Sequence, residues 1–286
     1  MNSKFLALLI PFMCLLPSCE KKDYSHTVYA TIYPIYDFAK KIAGDYFDVE
    51  LVTPPGVEPH DFEPTAKKVV GMSESPLILY YGLGLDSWIG NIPSSMQKKS
   101  RCVTSSISPS SIDGVIDPHC WLSVSNAIKE MGEVASSFIE LDPSHKDVYS
   151  KNLETYTLKF RELENTYRVK LEERKNKYVV VSHASFGYLC SDFNLNQLYL
   201  SGLEPNSTPT AKTVKKIEEA IKQYGISTIF YEEMVGSDVA NFIAAETGAK
   251  VATLNPLECL DEEDMDKEDY LSVMENNYKA ILEADI

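Results

Sequence analysis

Two hydrophobic periodicities alternate along the chain. Short runs rich in Val, Ile and Tyr are typical of buried strands, and most are followed by a segment whose apolar residues recur every three or four positions, as in a helix. In chain order the predicted elements are a strand in 27–33, a helix in 34–44, strands in 48–56 and 76–82, a helix in 117–140, a strand in 177–190, a helix in 213–225, a strand in 226–233, a helix in 237–248, a strand in 249–258 and a helix in 269–285. This alternation favours an α/β fold with mainly parallel sheets flanked by helices. Because the theme occurs twice, we predict two similar lobes.

A helix of about thirty residues is predicted between these lobes. Residues 144–176 contain neither Gly nor Pro, and their apolar side chains recur at alternating spacings of three and four, so that they line one face. These side chains are Tyr149, Leu153, Tyr156, Phe160, Leu163, Tyr167 and Leu171. A long core helix inside one domain is the alternative. We predict an N-terminal lobe at 26–143, a rigid linking helix at 144–176 and a C-terminal lobe at 177–286.

The start of the chain has the pattern of an export signal. Residues 1–19 carry one Lys followed by an apolar run of about a dozen residues, which is too short to span a bilayer. The ending Leu16-Pro17-Ser18-Cys19 resembles a bacterial lipobox, in which the Cys becomes the lipid-bearing first residue, although Pro17 is unusual there. An ordinary cleaved signal is the alternative. The sequence therefore predicts an exported protein, in the periplasm or at the cell surface, anchored to the membrane through Cys19.

Composition indicates a folded protein with an acidic surface. Of the 286 residues, 44% are hydrophobic and 24% are charged, as is usual for globular proteins. The formal net charge of −15 argues against a nucleic-acid partner, because phosphate backbones are bound by clustered Lys and Arg. After the signal, four cysteines remain at positions 102, 120, 190 and 259, and their spacing cannot distinguish the three possible disulfide pairings.

Four potential metal ligands follow strand-like runs. They are His60, His119, His183 and Glu258, two in each half of the chain. In open α/β sheets, ligands bind where the carboxyl ends of several strands converge on one crevice. Proline directly precedes His60 and His119, which stiffens the loops that present these two imidazoles. Three imidazoles and one carboxylate can complete a tetrahedral shell around zinc.

Acidic residues beside two of these histidines are candidates for orienting the rings. Glu58, Asp61 and Asp117 can accept the second ring N–H of a ligating imidazole. The remaining histidines, His26 and His145, have no such context, and we expect both at the surface.

A series of ordered motifs resembles one protein family. They include "LVTPPGVEPHDFEPT" at 51–65, "DPHCWLSV" at 117–124, "VVVSHASFGYL" at 179–189, "AAETGAKVATLNPLE" at 244–258 and "DYLSVMENN" at 269–277, within a likeness that runs from Thr27 to Asp285. The chain resembles the metal-binding lipoproteins of bacterial zinc and manganese ABC importers, the cluster A-I solute-binding proteins. The resemblance implies two α/β lobes joined by a long helix, a metal in the cleft between them, delivery to a membrane permease, and a monomer.

Carried over by motif, the family ligands fall on the same four residues, His60, His119, His183 and Glu258. The third position bears on the choice of metal. Manganese-type members resemble His, His, Glu, Asp, whereas zinc-type members have a third His, as at His183. We therefore expect Zn2+, with Mn2+ as the alternative, since imidazole favours zinc and additional carboxylates favour manganese.

Three features depart from the zinc-type pattern or bear on the ligand set. Residues 90–116 lack the His-rich loop found in many zinc-type members. An acidic run follows Glu258 at 261–269, for which we favour a solvated loop over a weak cation collector. Cys120 and Cys259 are each next to a candidate ligand, and a thiolate there is an alternative zinc donor.

Binding without catalysis is the function that we expect. Four protein ligands close a zinc shell, whereas a catalytic zinc keeps an open water position, and the sequence has no H-E-x-x-H motif. A secreted zinc hydrolase remains an alternative if Glu258 acts as a general base for zinc-bound water. A surface adhesin with a structural metal is a third possibility, and it predicts adhesion that survives chelation.

Overall fold

The structure is a computed structural model that describes residues 23–232 and 236–284. The predicted signal and Cys19 lie outside these residues. Within the described ranges, none of the helices combines the length and apolar character that a bilayer span requires.

The first half of the chain forms a parallel sheet covered by helices. In chain order its elements are β1 (Thr27–Ala30), α1 (Tyr33–Ala43), β2 (Asp48–Leu51), α2 (Ala66–Glu74), β3 (Leu77–Tyr80), α3 (Ser94–Gln97), β4 (Ser100–Cys102), the hairpin strands β5 (Ser111–Ile112) and β6 (Val115–Ile116), and α4 (Val124–Leu141). The sheet order in the described residues is β2-β1-β3-β4, and every pair is parallel. Tyr29 in the central strand aligns with Glu50 on one side and Ile78 on the other. The carboxyl ends of β2, β1 and β3 therefore lie at the same edge of the sheet.

The second half repeats this architecture. Its elements are α5 (Lys146–Glu172), β7 (Tyr178–Val181), α6 (Gly187–Asp192), β8 (Asn196–Tyr199), α7 (Ala211–Tyr224), β9 (Thr228–Tyr231), α8 (Asp238–Thr247), β10 (Lys250–Thr253) and α9 (Tyr270–Glu283). The sheet order is β10-β9-β7-β8, again parallel throughout. The prediction of two similar α/β units with parallel sheets is confirmed.

Local sequence signals define where the helices start and stop. The Thr210 hydroxyl accepts a hydrogen bond from the backbone N–H of Thr213 at the start of α7, and Gly225 ends that helix with a left-handed φ of 62°. At the start of α9, Asp269 and Ser272 form a reciprocal capping box. These signals fix the first residues of α7 and α9 and the last residue of α7.

Helix α5 connects the halves and is somewhat shorter than the predicted 144–176. It begins after a 3-10 turn at Pro143–His145. Four of the seven predicted apolar residues are buried and the other three pack partly buried against the same core. Its Phe160 ring lies 4.7 Å from that of Tyr270 in α9, which in turn lies 5.1 Å from Phe38 in α1. The linking helix thus packs against both halves, while the lobe limits 26–143 and 177–286 remain a prediction.

Several short elements were not predicted. Strands β4 and β8 are edge strands, and each pairs with a single neighbour, so they carry a weaker hydrophobic pattern than central strands. The β5–β6 hairpin has two-residue strands and turns at Asp113 and Gly114, whose φ angles of 52° and 84° are typical of a tight hairpin turn. Helix α2 has only two buried residues, Gly71 and Met72, so its amphipathic pattern is faint.

Candidate metal centre

Each predicted ligand follows the carboxyl end of a strand. His60 lies in the loop after β2, and His119 lies three residues beyond the end of β6. His183 and Glu258 follow β7 and β10 in the second half. Strands β2, β7 and β10 belong to the two parallel sheets, whose carboxyl ends face the crevice between them, whereas β6 belongs to the antiparallel hairpin. Four loops from two halves of the chain meet in this crevice.

The structure brings the four side chains together around one carboxylate oxygen. Oε1 of Glu258 lies 2.7 Å from Nε2 of His119, 3.2 Å from Nε2 of His183 and 3.8 Å from Nε2 of His60. The Nε2 atoms of His119 and His183 are 3.3 Å apart. His119 and His183 are fully buried, Glu258 is 3% exposed and the His60 side chain is 9% exposed.

Two of these spacings match those around a small tetrahedral cation. With zinc–ligand bonds near 2.0–2.1 Å, neighbouring donor atoms in a tetrahedron are about 3.3 Å apart. The His119–His183 separation of 3.3 Å and the His183–Glu258 separation of 3.2 Å match this edge. Nε2 of His60 is buried without a hydrogen-bond partner in the described residues. Because leaving a buried polar atom unpaired costs free energy, a bound cation at this atom would be stabilising. The donor set therefore suits zinc chemically, and two of its separations match the geometry of a tetrahedral zinc ion, whereas the 2.7 Å and 3.8 Å separations from Glu258 depart from it.

Carboxylates behind two of the rings fix their orientation. Oδ1 of Asp117 accepts from Nδ1 of His119 at 2.8 Å, which is the hydrogen bond predicted for it, and also from the His119 backbone N–H at 3.0 Å. Oε1 of Glu232 lies 2.7 Å from Nδ1 of His183. Each ring thus presents Nε2 to the centre of the site.

Glu232 was missed by the sequence reasoning. It directly follows β9, so the same strand-end argument that selected Glu258 also applies to it. It lies in a second group of closely spaced potential ligand atoms, with His183 and Glu258. Its hydrogen bond to the far side of the His183 ring favours an orienting role over direct ligation.

The predicted ring-orienting roles of Glu58 and Asp61 were not found. Glu58 accepts the backbone N–H of His60 at 3.1 Å rather than a ring N–H, and Asp61 is exposed. The Nδ1 atom of His60 instead lies 3.9 Å from an exposed carboxylate, that of Glu204. A proline-stiffened loop puts the neighbouring acid in reach of the backbone, which short local hydrogen bonds favour.

Opposing charges shift the pKa values in the site. Burial alone lowers the pKa of His119, but its hydrogen bonds to Asp117 and Glu258 raise that pKa above its usual value. For His183, burial again lowers the pKa, while the adjacent Glu258 and Glu232 raise it well above its usual value. Burial raises the pKa of Glu258, yet the neighbouring imidazoles bring it well below its usual range. A cation that binds here must therefore displace protons from the imidazoles.

A small acidic cavity adjoins the four side chains. The carboxyl-bearing residues that line it are Glu58, Glu232, Glu258, Asp261 and Asp264. Burial and then the nearby Glu258 carboxylate raise the pKa of Glu58 to about 8. Two residues of the predicted acidic run, Asp261 and Asp264, thus line this cavity, and of these Asp261 is exposed and Asp264 is partly buried.

Burial disfavours thiolate ligation by the two cysteines next to the candidate ligands. Burial raises the pKa of both Cys120 and Cys259 to about 12, which disfavours the thiolate that zinc requires. The four cysteines of the described residues are free. The two other histidines are apart from the centre: His26 is exposed, and the half-buried His145 ring contacts Asp142 at 2.5 Å.

Comparison with known proteins places this geometry in context. A family model described as "Zinc-uptake complex component A periplasmic" matches residues 28–284. The chain is 33% identical to the high-affinity zinc uptake system protein ZnuA of Bacillus subtilis, over 92% of this chain and 88% of that protein. It is 32% identical to the zinc-binding lipoprotein AdcA of Streptococcus pneumoniae, over 97% of this chain but 60% of that longer protein.

Solved structures give the same picture of the fold. The Zn(II)-bound ZnuA-like domain of Streptococcus pneumoniae AdcA superposes with a TM-score of 0.81 at 35% identity, covering 91% of this chain and 99% of that one. The laminin-binding protein Lmb of Streptococcus agalactiae, described as having adhesin and metal-transporting activity, superposes with a TM-score of 0.86 at 29% identity, covering 92% and 100%. The two-lobed architecture predicted from the sequence is confirmed.

Proposed function

Since this chain belongs to the family of periplasmic zinc-uptake component A proteins, we propose that it captures Zn2+ outside the membrane and delivers it to the permease of an ABC importer. The ion is cargo, and the protein performs no chemistry on it. The family match and the names of the relatives support this function, and the donor set in the crevice supports zinc as the cargo.

The observation that carries the proposal is the convergence of three Nε2 atoms on one buried carboxylate oxygen. His60, His119, His183 and Glu258 are the proposed ligands. A shell with three imidazoles and a single carboxylate is suited to zinc, whereas manganese favours more oxygen donors. Manganese is therefore the weaker alternative.

The origin of the ligands favours capture by enclosure. His60 and His119 come from the first half of the chain, whereas His183 and Glu258 come from the second, and all four are at least nine-tenths buried. An ion held between the two halves cannot leave while the crevice is closed. Release to the permease accordingly requires that the halves separate at the site, with α5 as the element that joins them.

Export and anchoring complete the proposed role. Residues 1–19 have the pattern of a lipoprotein signal, and a lipid on Cys19 would keep a monomeric carrier near its permease. The name of the AdcA relative, a lipoprotein, supports this assignment. Mass spectrometry of the mature protein tests it, because acylation adds a defined mass to an N-terminal peptide that begins with Cys19.

Calorimetric titration tests the function directly. The purified protein, stripped of metal, should bind one Zn2+ per chain and bind Mn2+ more weakly. His119→Ala should lower the zinc affinity at least 100-fold, because a tetrahedral shell cannot easily replace a buried imidazole. His26→Ala is the matched control, since that histidine is exposed, and it should bind zinc as the wild type does. Equal affinities for wild type and His119→Ala would contradict the ligand set.

Adhesion is a second candidate, and it is favoured by the names of two structural relatives. The laminin-binding proteins Lmb and Lbp, from Streptococcus agalactiae and Streptococcus pyogenes, each superpose over 92% of this chain at 29% identity. A solid-phase binding assay with laminin, before and after chelation, tests this function. Saturable binding would establish adhesion alongside transport, and no binding above that of an unrelated acidic protein would exclude it.

A further inference from the structure

The β5–β6 hairpin is tied to the other half of the molecule at its base. The backbone N–H of Asp117 donates to the carbonyl oxygen of Ser110 at 3.0 Å, as in an antiparallel ladder. The reciprocal bond of such a pair would join the Ser110 N–H to the Asp117 carbonyl. Instead, the Ser110 N–H donates to the hydroxyl of Tyr188 at 2.8 Å, and this hydroxyl donates to the Asp117 carbonyl at 2.9 Å.

The Tyr188 hydroxyl thus takes the place of one rung of the hairpin ladder. Tyr188 belongs to α6 in the second half, whereas Ser110 and Asp117 belong to the first. The hydroxyl is both acceptor and donor, so it satisfies the backbone N–H of Ser110, just before β5, and the backbone carbonyl of Asp117, just after β6. Separating the two halves at this point breaks both hydrogen bonds together.

Asp117 links this contact to the metal centre. Its carboxylate holds the His119 ring through Nδ1 at 2.8 Å, while its carbonyl receives the Tyr188 hydroxyl. The preceding residue of α6 is Gly187, where an added Cβ would lie only 3.3 Å from Oδ2 of Asp117. The absence of a side chain at Gly187 therefore lets α6 approach the carboxylate that orients a proposed ligand.

The charge at the tip of the hairpin acts on a residue of the second half. The pKa of Tyr199, the last residue of β8, is raised mainly by burial and further by the negative charge of Asp113. Asp113 is in the tight turn between β5 and β6, and Val115 and Ile116 are 60% and 48% exposed. Strand β6 of the hairpin is therefore largely exposed to solvent.

We infer that Tyr188 is a positioning residue that couples closure of the two halves to the orientation of His119 through Asp117. This inference rests on the proposed zinc-carrier function and adds a release element to it. With the crevice closed, Tyr188 supports Asp117, and Asp117 holds the His119 ring toward the ion. When the halves part, the hydroxyl leaves, the Asp117 backbone loses its support, and His119 is free to turn away from the ion.

Stopped-flow release of zinc to an excess of chelator tests this coupling. Tyr188→Phe removes only the hydroxyl, and we expect zinc to dissociate about tenfold faster, as fits the loss of one to two hydrogen bonds near the site. Tyr36→Phe, at another half-buried tyrosine, in α1, is the matched control and should release zinc at the wild-type rate. Ser110→Pro removes the N–H donor from the other half of the molecule and should also accelerate release.

A double-mutant cycle distinguishes positioning from a general loss of stability. If Tyr188 acts through Asp117, then Tyr188→Phe should accelerate release little further in an Asp117→Asn background. A merely structural role would lower the melting temperature of the metal-free protein and leave the release rate within twofold of wild type, which would overturn the inference. If the wild-type protein binds zinc and Tyr188→Phe releases zinc at the wild-type rate, only this inference is contradicted. If the wild-type protein does not bind zinc, the proposed function is contradicted, and the inference with it.

Discussion

Replacement of Glu232 by Gln is the most informative perturbation of the site after removal of a ligand. The carboxylate is 3% exposed and accepts from Nδ1 of His183 at 2.7 Å, so it fixes the ring that presents Nε2 to the ion. Gln has nearly the same shape, but it removes the negative charge that makes the imidazole a stronger donor to a metal. The change therefore tests orientation and charge without creating a cavity.

The expected loss is an order of magnitude or more in zinc affinity. Changes to carboxylates that support a ligating histidine typically weaken metal binding 10–100-fold, which corresponds to about 1.4–2.7 kcal/mol. The short contact and deep burial of Glu232 leave little room for water to replace the lost charge, so we expect a value in the upper half of this range. Competition calorimetry against a chelator of known affinity measures it.

Glu204→Gln provides a matched control for that experiment. Its carboxylate is 3.9 Å from Nδ1 of His60, but its side chain is 68% exposed, so solvent screens its charge. We expect less than a twofold change in zinc affinity. The reasoning would be refuted if Glu232→Gln bound zinc within twofold of wild type, or if Glu204→Gln lost as much affinity as Glu232→Gln.

Three further predictions concern stability. Zinc at about 100 times its dissociation constant should stabilise the protein by about 2.7 kcal/mol, seen as a rise of several degrees in melting temperature by calorimetry, and no shift would contradict the site. Burial raises the pKa of Glu130 to about 8. The protonated Glu130 carboxyl therefore contributes fully to the free energy of unfolding below the ordinary pKa near 4.5, and this contribution is lost as the pH rises through 8. The free energy of unfolding of Glu130→Gln, measured in urea, should therefore rise by about 3–5 kcal/mol relative to that of the wild type between pH 5 and pH 9. If the unfolding free energies of the two proteins changed in parallel with pH, the raised pKa of Glu130 would be contradicted. Phe160→Ala in α5 should lose about 3–5 kcal/mol in the same assay because it opens a cavity against Tyr270 and Phe38, whereas a loss below 1 kcal/mol would show that α5 is not packed into the core.

The central strands and long helices were predictable because burial imposes a strong hydrophobic period on them. Strand β7, with Val at three successive buried positions, and the striped helix α5 are examples. Edge strand β8 and the short β5–β6 hairpin escaped prediction because they bury little apolar surface and depend on contacts that are distant in the sequence. The hydroxyl of Tyr188 closes that hairpin from 71 residues beyond Asp117, which local pattern cannot reveal.

The four candidate ligands were predictable for a different reason. Parallel strands bring their carboxyl ends to one edge, so polar residues that follow them, such as His60, His183 and Glu258, meet even when they are far apart in sequence. His119 follows a strand of the antiparallel hairpin, and its proximity to the others depends on where that hairpin lies. The same rule applies to Glu232, but its preference for the far side of the His183 ring follows from the rotamers and spacing of packed loops. Likewise, Glu58 bonds the His60 backbone rather than its ring, an outcome that depends on the exact path of the loop.

A crystal structure of the zinc-soaked protein, with anomalous diffraction recorded on both sides of the zinc absorption edge, tests the central claim most directly. We predict one anomalous peak in the crevice, with Nε2 of three histidines, His60, His119 and His183, and one carboxylate oxygen of Glu258 at about 2.0–2.2 Å from it. A zinc ion that keeps a water in place of Glu258, or one that binds away from these four side chains, would contradict the account.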